Sequence, residues 1–296
     1  MAPVTGSGLR NIGIITLAGG VSSFIGAFFI GKEVESTIGK GIIVGNITSM
    51  EILIILLSIS VWITFTSYKG WPTSTTHSTV GAAIGLGLVK FGVEGIQWRT
   101  LAYIISAWTI SPIVGLCASY LLTVYINHIL KKYIKGLQGI VKASKLSAYT
   151  LFALACITAF MSGGNDVGNA TAFINPKMRL DTLYLRGLMG LCMAFGLIML
   201  GRRVLLTVGV ELVELTPISA LASLLSNSLV LITANVYGLP LSSSQILVSS
   251  VIGTGLANNR YVNLRKLIKI FWTWIATFIA TASLSVTLYH GLQYLS

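Results

Sequence analysis

Of the 296 residues, 54% are hydrophobic and only 9% charged, and the mean hydropathy is +0.84. Soluble domains carry about 25% charged residues, so this composition excludes an ordinary soluble enzyme or binding module and describes a chain whose main solvent is lipid. The net charge of +12 does not signal nucleic acid, because the basic residues cluster beside apolar runs, as membrane topology determinants do.

After the opening MAPVTGSGLR, the first predicted span runs from Asn11 to Gly31. It is too long for a signal peptide and leads into further spans, so it reads as retained. An apolar helix is predicted from Ile47 to Thr66, and Gly70-Trp71-Pro72 then breaks the pattern. Thr73 to Val89 forms a short apolar segment, at the lower limit for crossing a bilayer, and Leu101 to Asn127 is a full span. Lys131, Lys132, Lys135, Lys142 and Lys145 follow in a basic linker. The run YTLFALACITAF then enters MSGGNDVGNATAF, which places Asp166 in membrane-type sequence. A span from Thr182 to Leu206 and an apolar helix from Pro217 to Tyr237 come next. After Gly238-Leu239-Pro240, a short segment runs from Leu241 to Ala257. Arg260, Arg265, Lys266 and Lys269 form a second basic cluster, and Leu267 to Tyr294 closes the chain. Cys117, Cys156 and Cys192 lie in apolar runs without metal-type spacing, so they read as free and buried. His128 and His290, near the ends of such runs, read as packing or interface residues.

The order of parts repeats. GAFFIGKEVESTIGKGI from Gly26 matches GLIMLGRRVLLTVGVEL from Gly196, and KGWPTSTTHSTVGAAIGLGL matches YGLPLSSSQILVSSVIGTGL. Pro72 thereby pairs with Pro240, Ser74 with Ser242 and Thr76 with Ser244. The expected architecture is an all-α integral membrane protein of two repeats, residues 1–130 and 148–296, joined by a cytoplasmic linker at 131–147. Each repeat carries a helical hairpin that enters and leaves on one face, broken at its Pro-Ser/Thr motif. Placing both basic clusters in the cytoplasm makes the repeats inverted in topology, an arrangement of secondary transporters that bind substrate near the midplane.

Three elements converge there in this reading. Ser74, Thr75, Thr76 and His77 follow one proline, and Ser242, Ser243, Ser244 and Gln245 follow the other. Such helix starts present unpaired backbone N–H groups and the positive dipole end, which favour an anion. The third element is Asp166 with Asn165 and Asn169. An intramembrane carboxylate is costly and marks a functional site by default. A hydrogen phosphate can donate to a carboxylate, whereas sulfate has no proton to donate. Asp166 with amide oxygens also suits a hard cation such as sodium, which would offset its repulsion of an anion. No nucleophile–base spacing points to an enzyme, and no cofactor is expected beyond a coupling Na+ or H+.

At these residues the chain resembles the inorganic phosphate transporter (PiT) family. GGNDVGNA (Gly163 to Ala170) matches its GANDVANA-type signature, PTSTTH (Pro72 to His77) matches its hairpin signature well, and PLSSSQ (Pro240 to Gln245) matches it loosely. The resemblance implies cation-coupled phosphate uptake across the cell membrane, with Asn165, Asp166, Asn169 and the hairpin hydroxyls lining the substrate and ion sites. A homodimer is expected by analogy only. Two departures stand out. The repeat offset puts the first-copy counterpart of Asp166 before residue 1, so the chain is expected to lack the first transmembrane segment, by a late start assignment or by genuine loss. The family's glutamate in the following helix is replaced, with Ser23 and Met193 at its two places. The alternatives carried forward are a sulfate or other oxyanion permease and a truncated, non-transporting membrane protein.

Overall fold

The computed structural model describes residues 1–8, 11–30, 32–39, 41–174 and 182–294. Its helices are α1 (Ala2–Gly6), α2 (Ile12–Ile30), α3 (Lys32–Gly39), α4 (Ser49–Lys69), α5 (Thr75–Phe91), α6 (Trp98–Tyr133), α7 (Gly136–Thr171), α8 (Thr182–Gly209), α9 (Pro217–Val236), α10 (Ser243–Ala257) and α11 (Leu264–Gln293). Seven of them, α2, α4, α6, α7, α8, α9 and α11, are long and apolar enough to cross a membrane. The chain is a multi-pass membrane protein.

The predicted spans hold to within a few residues, with Gly31 outside the described residues. The linker is almost wholly helical. Its expected range, 131–147, contains only two non-helical residues, Ile134 and Lys135, because α6 runs through Tyr133 and α7 begins at Gly136. Each of these helices has 36 residues, about 54 Å at 1.5 Å per residue, against a hydrocarbon core of about 30 Å. Lys131, Lys132, Lys142 and Lys145 therefore ride on helix ends that exceed the length a bilayer core needs, and lysine is a good helix former.

Both hairpins are built alike. Thr48 caps α4 in a reciprocal box with Glu51, and Thr216 caps α9 in the same way with Ser219. In each box two backbone donors that the helix leaves unpaired find partners. α4 ends at Gly70, whose φ of 72° is the left-handed cap that glycine adopts without steric cost. The open end of the first hairpin is tied by the bridge Ile43–Ile96, and of the second by Val213–Val262. Lys90, near the end of α5, also pairs with Glu51 at the start of α4, at 2.8 Å. Each hairpin thus doubles back on itself. The indole of Trp108 on α6 donates to the Pro240 carbonyl (2.9 Å), and that of Trp274 on α11 to the Pro72 carbonyl (3.0 Å). Each half's last helix therefore holds the other half's break.

α2 and α8, matched in sequence, run antiparallel. Gly187 approaches Phe28, Gly190 approaches Phe24 and Ala27, and Gly20 lies under Ala194 and Ile198. α2 also crosses α7 at backbone distance, since a Cβ on Gly26 would overlap the Phe160 carbonyl and one on Gly163 would overlap Ser23. Lipid gives no hydrophobic drive between helices, so this small-residue contact carries the packing. Gly26→Ala is therefore expected to cost about 1–3 kcal/mol, the usual range for overpacking, read as a lower thermal midpoint in detergent. The matched Gly196 faces open space. Gly196→Ala should leave the midpoint unchanged or raise it slightly, alanine being the better helix former.

Candidate functional site

Asp166 sits five residues before the end of α7, where the glycines let neighbouring backbones approach. Its Oδ1 accepts a 2.5 Å hydrogen bond from the Thr75 hydroxyl at the first turn of α5. The carboxylate lines a cavity of about 450 Å³ that also takes in Thr73 and Thr75 of the first hairpin and Ser243 and Ser244 of the second. Thr158, Ser162 and Asp166 recur every four residues and line one wall, as that spacing on a helix requires. The cavity runs from Asp166 toward the basic linker, since Thr158 lies nearer that end of α7. Ser23 and Met193, at the places of the family's glutamate, both line it.

The other residues expected at the site divide by role. Asn165 is fully buried, and its Nδ2 donates to Asn235 Oδ1 (3.2 Å) and the Leu239 carbonyl (3.3 Å). Asn169 Nδ2 donates to Thr76 Oγ1 (3.1 Å), and Thr76 in turn donates to the Leu241 carbonyl (2.9 Å). These two asparagines and Thr76 knit α7 to both hairpin breaks behind the cavity wall. Asn169 Oδ1 remains buried without a hydrogen-bond partner. Ser74 and Ser242 are N-caps, accepting from the backbone N–H of His77 (3.1 Å) and Gln245 (3.4 Å). The Ser242 and Ser244 hydroxyls lie 3.2 Å apart.

His77 and Gln245 do not join Asp166. They line a separate cavity of about 400 Å³ with Trp108, Phe271 and Trp274, and the His77 ring lies 3.9 Å from that of Trp108. Three residues after the cap, their side chains point away from Thr75 and Ser243 on the same helix turns. Among the described residues no group of three or more His, Cys, Asp and Glu side chains gathers as a metal cage.

The first hairpin thus brings hydroxyls to a carboxylate from α7, while the second brings serines into the same cavity. A model of the phosphate transporter family matches residues 1–285. The chain belongs to the phosphate transporter family. A Chlamydia pneumoniae relative described as a candidate phosphate permease is 27% identical over 99% of this chain and 93% of its own length. The chloroplast inorganic phosphate transporter 2-1 of Arabidopsis thaliana is 25% identical over 97% of this chain and 67% of its own. A solved structure described as the sodium-dependent phosphate transporter shares the fold, with a TM-score of 0.83 at 24% identity, covering 100% of this chain and 94% of that one. The phosphate transporter family is a transport family, not an enzyme class.

Several site residues escaped the sequence reading. Thr158 and Ser162 were detectable by their spacing from Asp166. Asn227, which lines the cavity, and Asn235, which holds Asn165, carry no local signal, because their roles come from helices far off in sequence. Thr76→Val would strand the Leu241 carbonyl and leave the Asn169 amide only its longer 3.5 Å bond to Asn165 Oδ1. The expected loss is about 1–3 kcal/mol, the cost of leaving buried polar groups unpaired, measured as a lower denaturation midpoint. Thr75→Val, beside the cavity where water can substitute, should cost less.

Proposed function

We propose that the chain carries inorganic phosphate across the membrane together with a cation, sodium or a proton, by alternating access between two inverted repeats with re-entrant hairpins. The observation that carries this reading is the shared cavity of Asp166, Thr75, Ser243 and Ser244. The first turns of α5 and α10 start inside the molecule, and helix N-termini with hydroxyls bind oxyanions without a fixed positive charge. The antiparallel α2 and α8, the two tied hairpins and the exchanged Trp–Pro hydrogen bonds are what inverted repeats would produce. Membership of the phosphate transporter family names phosphate as the oxyanion.

Asp166 accounts for the coupling. Two unit charges about 4 Å apart interact by about 4 kcal/mol at an effective dielectric of 20, worth roughly a thousandfold in affinity. An ionised Asp166 beside phosphate therefore opposes binding until a cation or a shared proton offsets it. Asp166 and Thr75 present hard oxygen donors of the kind sodium takes to the cavity, and the unpartnered Oδ1 of Asn169 lies behind its wall. A protonated phosphate oxygen can donate to the carboxylate directly, whereas sulfate cannot.

In proteoliposomes, Asp166→Asn is expected to cut phosphate uptake at least tenfold and to abolish its dependence on the sodium or proton gradient. Uptake with unchanged cation dependence would remove Asp166 from the mechanism. Paired Ser243→Ala and Ser244→Ala substitutions should raise the phosphate KM while leaving cation dependence in place. Excess sulfate should compete weakly with labelled phosphate, and equal competition would favour a general oxyanion permease.

A further inference from the structure

On the side of Asp166 away from the basic linker, the protein holds a buried ion pair that does not line the Asp166 cavity. Glu35 of α3 is 6% exposed and Arg186, near the start of α8, 7%. Arg186 Nη2 lies 2.9 Å from Glu35 Oε2, and its Nε donates to the same oxygen at 2.9 Å. Thr171, the last residue of α7, also donates to that oxygen at 2.9 Å. Two residues further along α3, the Thr37 hydroxyl donates to the carbonyl of Gly238, in the turn between α9 and α10, at 2.8 Å. A single eight-residue helix thereby ties together the end of α7, the start of α8 and the bend of the second hairpin. The oxyanion site is built on two of these three elements.

The internal repeat sharpens the observation. Val34, Thr37 and Gly39 match Val204, Thr207 and Gly209, yet the residue matching Glu35 is Leu205. Leu205 lines the open cavity, along with Val204 and Val208. The two ends of the molecule are therefore closed by different physics. One end has a charge-assisted junction, an ion pair with two hydrogen bonds onto one oxygen, and the other an apolar wall along the cavity. Breaking a buried pair by removing one partner strands a charge and is strongly unfavourable. The Glu35 end is thus the harder of the two to open.

We propose that Glu35 is a positioning residue for transport: through Thr171 and Arg186 it clamps the end of α7, and with it Asp166 and Asn169, so that the site is shut on the side opposite the linker. The clamp must release for the site to face that side. The inference rests on the phosphate site proposed above, but it is read by a measurement that needs no transport.

Ile174, buried beside this junction, is changed to cysteine in full-length protein whose Cys117, Cys156 and Cys192 are alanine. The folded fraction, separated by gel filtration in detergent, is treated with a membrane-impermeant maleimide. With Glu35 intact, Ile174→Cys should be protected. Glu35→Gln should speed labelling roughly tenfold or more, the factor expected when a hydrogen bond to a charged group is lost. Glu35→Asp should restore part of the protection. If Glu35→Gln yields no folded protein, Thr171→Val removes one donor and keeps the ion pair, and it should still accelerate labelling. Equal labelling rates in every folded variant would overturn the proposal. In proteoliposomes, folded Glu35→Gln should alter the rate of phosphate uptake more than the phosphate KM. Uptake absent from the parent chain, with labelling still sensitive to Glu35, would defeat the phosphate reading and leave the clamp standing.

Discussion

A bilayer interior offers no water to a backbone N–H, so a helix that begins there must find every partner within the protein. α5 and α10 begin inside the molecule, and much of the structure answers that constraint. Ser74 and Ser242 supply the caps, Thr76 and Asn169 bridge the two breaks, and Trp108 and Trp274 hold the proline carbonyls. Once these groups are paired, Thr75, Ser243 and Ser244 are left facing a cavity, with the positive ends of two helix dipoles behind them. The same device that makes a broken helix tolerable suits it to an anion, as the proposed function requires.

Asp166 sets the second half of the design. It is held by Thr75 at the point where α7 meets the first hairpin, so whatever binds beside it is felt by elements of both halves. A carboxylate among anion donors is a penalty that only a cation or proton removes. In the proposed mechanism, coupling follows from electrostatics without a separate mechanical link. The buried junction at Glu35 adds the asymmetry: one end of the assembly is fastened by charge, the other lined by Leu205 and its apolar neighbours.

Much of this was legible in the chain because the signals are local. Pro72 and Pro240 with their trailing hydroxyls mark the breaks. Asp166 stands out because an acid in apolar sequence is rare. What was not legible depends on contacts between distant segments. Glu35 reads as an ordinary charge on a polar stretch, and nothing before folding shows that Arg186, 151 positions away, will bury it. His77 and Gln245 belong to the same motifs as the site hydroxyls, yet their place on the helix turn directs them to the Trp108–Trp274 cavity. A motif gives the residues near a site, and helix phase decides which of them face it. The lysine-rich linker is helical on both sides of Ile134 and Lys135, because a charge cluster marks the water side of a membrane without requiring a loop.

The central claim is that the anion site and the charge at Asp166 are thermodynamically linked. Equilibrium binding of labelled phosphate to the purified protein, titrated across sodium concentration and pH, tests it most directly. Phosphate affinity should rise with sodium or with protonation by about a hundredfold or more, in line with the charge offset at the site. By linkage, phosphate should tighten the binding of that same cation by the same factor. A phosphate affinity indifferent to both sodium and pH would contradict the account.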